Sequence, residues 1–134
     1  MRKVATVQGI FYITTGVWPL ISMKTFEKVT GPKTDDWLVK TVGLLIAVSG
    51  VALLQSGFRS RASPDIAIIG VGEAISLGSV SLIYSSTGRI SKVYMLDTLL
   101  EYTLAFLWYL AIRSRKSIDE RQLSTDLSEE RRIA

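Results

Sequence analysis

The chain has 134 residues, a net charge of +4 and 48% hydrophobic residues, with no cysteine and no histidine. That length predicts one domain. The missing thiols and imidazoles exclude disulfides, thiol nucleophiles, Cys- or His-ligated metals and the usual near-neutral proton shuttle.

What sets the class is how the apolar residues cluster. Four stretches of roughly 20 residues hold nearly all of them, and the charges crowd between and after. Only helices satisfy the backbone at this hydrophobicity and pattern. The expected fold is therefore all-α, an integral membrane antiparallel four-helix bundle. Its spans are expected at about 4–23, 37–57, 66–84 and 90–112, followed by a charged cytoplasmic tail at 113–134. The modest positive charge is read as loops facing anionic lipid, and no aromatic-interleaved basic patch points to nucleic acid.

Met1-Arg2-Lys3 ahead of an apolar run has the look of a signal peptide. The run is too long and no small-x-small cleavage site follows, so 4–23 is read as an uncleaved first span. Ala5, Gly9, Tyr12, Gly16 and Pro19 recur at three- and four-residue spacing, giving one face with little side chain for close helix contact. Gln8, Thr14 and Thr15 are its other polar residues and are available to bond across helices. In the loop 24–36, Met23, Phe26 and Val29 suit a short turn on the bilayer surface. Gly31-Pro32 breaks any helix there, and Thr34, Asp35 and Asp36 offer an N-cap and first-turn acids for the next one.

In the second span Asp36, Lys40, Gly43, Ala47, Gly50, Leu54 and Gly57 share a face. Glycine at a seven-residue repeat predicts a tightly packed seam. The loop 58–65 carries Arg59 and Arg61 and closes on Ser63-Pro64-Asp65, a good helix start. In the third span Gly70, Ala74 and Gly78 form small-xxx-small, and Ser76, Ser79 and Ser81 add interhelical donors. A tight turn at 85–91 makes the third and fourth spans antiparallel neighbours. Beyond the fourth span, Ser117 to Glu120 resembles a capping box, compatible with a short soluble helix or with disorder.

One side of the bundle carries Arg2, Lys3, Arg59, Arg61, Arg113, Arg115, Lys116 and Arg121. The other carries Lys24, Lys28, Lys33, Arg89 and Lys92. Eight against five favours both termini in the cytoplasm. Trp18, Trp37, Tyr84 and Tyr94 are expected in one interfacial belt, Trp108 and Tyr109 in the other.

The chemistry lies in charges inside the spans. At a rise of about 1.5 Å per residue, Glu101 falls near the bilayer centre and Glu73 within ~4 Å of it. Asp97 lies roughly 7 Å and Lys40 roughly 10 Å toward the opposite face from the termini. Tyr94, Asp97, Glu101, Leu104 and Trp108 share one face, expected to point inward because a carboxylate facing lipid is costly. Lys40 and Asp97, at similar height, are a candidate ion pair; alternatively Lys40 snorkels toward the headgroups. Glu73 and Glu101 have no basic residue at their level, so at least one is expected to hold a proton. Glu73, Asp97 and Glu101 form the candidate proton or ligand site. The plainer reading is packing glue, with bonds to Ser76, Ser79, Tyr102 or a backbone carbonyl.

The segment 18–43 contains VTGPKTDDWLVKTVG from Val29 to Gly43. It resembles a VTGPK-x-D-x-WLV-x-TVG pattern of small uncharacterised bacterial four-span membrane proteins. The match covers about a fifth of the chain. It implies a bacterial inner membrane and no particular chemistry. The layout is also similar in architecture to small multidrug transporters, DoxX-like proteins and sterol isomerase-like proteins. The glutamate that small multidrug transporters carry in their first helix has no counterpart in 4–23.

Three functions compete: a non-catalytic accessory or scaffold protein, a small proton-coupled transporter or ligand-binding protein, and a lipid-modifying isomerase-type enzyme. No nucleophile or metal cluster supports the last, though two carboxylates suffice for isomerisation. No cofactor, metal or catalytic residue is expected. The expected surroundings are the lipid bilayer, a second copy of the chain across a glycine-lined face, and a cytoplasmic protein met by the tail.

Overall fold

The computed structural model describes residues 1–59 and 63–133, so Arg61 lies outside the described residues. The described chain is all α-helical: α1 (Arg2–Ile21), α2 (Met23–Thr30), α3 (Asp36–Phe58), α4 (Pro64–Ser86) and α5 (Tyr94–Ile133). Helices α1, α3, α4 and α5 are long and apolar enough to cross a membrane.

Local chemistry sets the boundaries. Pro19 sits in the last turn of α1, and Ser22 is extended with φ −149°. The Ser22 hydroxyl then accepts from the Thr25 backbone N–H and caps α2. The expected surface turn is thus a two-turn helix. It folds back on α1, where the Trp18 indole N–H donates to Thr25 Oγ1 at 2.9 Å and the Trp18 and Phe26 rings meet edge-on. Gly31 ends α2 at φ 85°, a backbone that only glycine adopts without strain. Ser63 caps α4 by accepting from the Asp65 N–H, with Pro64 in its first turn.

The fourth span differs from expectation at both ends. Its helix starts at Tyr94 rather than 90, after a turn in which Gly88 takes φ 72°. At the other end it does not stop. Ser117–Glu120 begins no new helix, because α5 runs unbroken for 40 residues. That is about 60 Å, roughly twice a bilayer core. The residues after Arg115 are all exposed.

The helices assemble as two pairs. Helix α3 runs back along α1, with Gly9 beside Gly50 and Gly16 beside Gly43. A Cβ on Gly9 would lie 2.7 Å from the Gly50 carbonyl oxygen, so main chain touches main chain. Helix α5 runs back along α4, whose Gly70, Ala74 and Gly78 are buried. A Cβ on Gly70 would lie 2.6 Å from the Trp108 indole nitrogen, so this glycine makes the space for that ring. Trp108 is therefore fully buried rather than in an interfacial belt. It joins Ala5, Tyr12, Leu53 and Ala67 in the core. Outward, Leu45, Val48, Ile68, Ile75, Leu96 and Phe106 are exposed. Such a continuous apolar girdle suits lipid and would be an aggregation surface in water.

Candidate functional site

Two of the buried polar side chains, Gln8 and Glu101, join the two pairs. Gln8 of α1 donates through Nε2 to the Gly70 carbonyl at 2.8 Å and accepts from the Trp108 indole N–H at 2.6 Å. One side chain thereby ties α1 to both α4 and α5. One turn along, Tyr12 donates its hydroxyl hydrogen to Glu101 Oε2 at 2.9 Å. Glu101 is 2% exposed. Ser49 of α3 donates to Glu73 Oε1 of α4 at 2.5 Å. The other Glu73 oxygen is buried without a hydrogen-bond partner.

The division of labour has a physical reason. Were these helices in lipid, apolar side chains would gain little by moving onto another helix, and close backbone approach and interhelical hydrogen bonds would hold them together. Small residues line the contact within each pair, and the bonds of Gln8, Tyr12 and Ser49 join the pairs. Gly43, Ala47 and Gly50 line the α1 side of α3, and Gly70, Ala74 and Gly78 line the α5 side of α4.

Several expected partners differ. Asp97 accepts from Ser81 at 2.8 Å, and Lys40 is exposed. The proposed Lys40–Asp97 ion pair is therefore not formed. Its absence follows from the packing, since α3 lies on α1 and α5 lies on α4. Asp36 and Lys40 fall before the buried strip of α3, which starts at Gly43. Glu73 and Glu101 are not bonded to each other; each reaches a different helix of the other pair. Ser79 meets the Tyr102 hydroxyl rather than a carboxylate, and Ser76 is exposed. Thr14 and Thr15 donate to their own helix backbone. Among the described residues no group of three or more acidic side chains gathers to hold a metal ion.

Spacing alone assigns Tyr12 to a packing face and gives Ser49 no role. A signal for Tyr12 was present: Gln8 and Tyr12 are four residues apart and Glu101 and Trp108 seven, so each pair shares a helix face. A face carrying both donors and acceptors at helical spacing is a candidate seam.

Replacing Tyr12 by phenylalanine keeps the ring and removes the donor. Tyr12→Phe is expected to lower stability by about 1–3 kcal/mol, because a buried acceptor loses its partner. Glu101→Gln, which still offers an oxygen to Tyr12, is expected to cost less. Equilibrium unfolding of the purified variants in mixed micelles measures both.

Two grooves open at the end of the assembly that holds the chain's start. One, of about 1130 Å³, lies between the start of α1, the end of α3 and α5 beyond the apolar stretch. The second, of about 850 Å³, lies between α4 and the same part of α5. Neither is lined by Glu73, Asp97 or Glu101. Compared with known proteins, the chain matches no family model, no curated protein and no solved structure.

Proposed function

We propose that the chain is an integral membrane four-helix bundle that serves as a non-catalytic accessory or scaffold protein. The observation that carries this reading is the use of the mid-span acids as structural ties. Glu101 is engaged by Tyr12 in the packed interior, and Asp97 by Ser81. A carboxylate spent on joining helices is not presented to a solute. The exposed continuation of α5 past Arg115 supplies a rigid charged arm on which a partner protein can dock. The excess of basic residues at that end supports a cytoplasmic orientation for it, and the pattern at 29–43 supports a bacterial inner membrane.

The alternative is a small proton-coupled transporter, and one observation favours it. Glu73 keeps a buried oxygen with no partner, which is costly unless something binds there.

Infrared difference spectroscopy through a pH titration separates the two. The scaffold reading expects no carboxyl band that titrates near neutrality, with Glu73→Gln and Glu101→Gln both folded. A band that titrates there and disappears in one variant would overturn it in favour of the transporter.

A further inference from the structure

We propose that the larger groove binds the phosphate headgroup of an anionic phospholipid. Arg2 and Lys3 meet the phosphate, while Val7, Phe58 and Ala111 receive the upper acyl chain. The inference rests on the membrane reading above and adds a ligand to it.

The groove has both halves of an amphipathic site. Toward the girdle its wall is apolar: Val7 is 57% and Phe58 72% exposed, in line with the outward faces of α1 and α3. At its mouth stand three cations, Arg2, Lys3 and Arg115, and one anion, Asp119. The charges sum to +2. Arg2 is fixed there, because its Nε donates to the Gly57 carbonyl at 3.1 Å. That bond leaves the remaining guanidinium hydrogens for a phosphate, which a planar fork matches well. Arg115 keeps its contact with Asp119 at 4.0 Å, so Arg2 and Lys3 carry the phosphate.

Position agrees with chemistry. The groove flanks α5 around Ala111 and Ser114, where the apolar stretch gives way to Arg113, Arg115 and Lys116. That is the level at which headgroup phosphates lie in a bilayer holding this girdle. The second groove makes the contrast. It is lined by Arg115 and Lys116 against Asp119 and Glu120, two charges of each sign. Arg115 and Asp119 line both grooves, and what sets the first apart is Arg2 and Lys3.

The test uses the full chain in phosphatidylcholine nanodiscs containing phosphatidylglycerol, with lipids that stay bound counted by native mass spectrometry. Wild type is expected to retain one phosphatidylglycerol per chain above its share of the bilayer. Arg2→Gln with Lys3→Gln is expected to lower that retention about tenfold. Arg113→Gln, at the same end but outside the groove, is expected to keep it. So is Lys24→Gln with Lys28→Gln, beyond the opposite end of α1. Circular dichroism checks that the variants fold. If the double variant does not, Lys3→Gln alone, which is exposed, must still give a several-fold loss. No preference for phosphatidylglycerol in wild type, or an equal loss in every basic variant, would overturn the site. Alkaline carbonate extraction separates the two levels. A chain released from the bilayer defeats the membrane reading itself. A chain that stays embedded without lipid preference defeats only this proposal.

Discussion

Gly9→Leu is expected to leave α1 and α3 unable to pair, and the chain unable to fold stably. The physical reason is the nature of the neighbours. A Cβ at Gly9 would stand 2.7 Å from the Gly50 carbonyl oxygen and 2.7 Å from the Leu54 nitrogen. Both are main-chain atoms in the middle of a helix, which have no rotamer to change. The helices must separate, and separation undoes the matching contact of Gly16 with Gly43 along the same seam. Overpacking of a flexible core costs about 1–3 kcal/mol, so a rigid obstacle is expected to exceed about 3 kcal/mol. Even Gly9→Ala should be clearly destabilising, since the clash begins at the first carbon. Gly72 is the control. It lies in α4 with nothing within 4 Å of its Cβ position. Gly72→Ala is expected to be neutral or to stabilise by about 0.5–1 kcal/mol through helix propensity. Thermal unfolding in detergent, followed by helix signal, compares the three. A Gly9→Ala variant as stable as Gly72→Ala would show that the seam is not as close as described.

Trp108→Ala is expected to lower stability by about 3–5 kcal/mol, the range for emptying a large buried aromatic site. Trp108 is fully buried and sits against Gly70, whose lack of side chain leaves nothing to fill the void. The loss also removes the donor to Gln8 Oε1, one of the bonds that tie α5 to α1. Trp108→Phe separates these effects. It keeps an aromatic ring of smaller volume and deletes the indole N–H, with an expected cost of about 1–3 kcal/mol. A double-mutant cycle of Trp108→Phe with Gln8→Ala should return a coupling of about 1 kcal/mol. Additivity of the two substitutions would mean that the short contact carries no energy.

The small-residue faces were legible because spacing in a helix is geometry. Ala5, Gly9, Tyr12, Gly16 and Pro19 follow from a period of 3.6 residues, and those residues are buried in α1. The same periodicity placed Glu101 and Trp108 on one face, and both are buried. Periodicity does not say which helix lies opposite. The proposed Lys40–Asp97 pair used equal depth as its only criterion, and the helices concerned belong to different pairs. Depth is a one-dimensional coordinate, whereas an ion pair needs the angle around the assembly as well.

Trp108 failed as a belt residue for a related reason. Interfacial enrichment of tryptophan is a tendency, and the vacancy at Gly70, 38 positions earlier in the chain, overrides it. The tail failed differently. A capping box signals a helix start only where a helix is not already running, and the turns of α5 continue through Ser117 without a break.

The helical class, the four long apolar helices, the faces rich in small residues and the acids within the apolar stretches are legible in the chain without its fold. These depend on local composition and on the helical repeat, which neighbours in the chain define. Only the tertiary structure decided the pairing of α1 with α3 and of α4 with α5. It also decided the partners Tyr12–Glu101, Ser49–Glu73 and Gln8–Trp108. Those contacts join residues up to 100 positions apart. A hydrogen bond needs two groups within about 3 Å in all three dimensions, and no one-dimensional spacing supplies that.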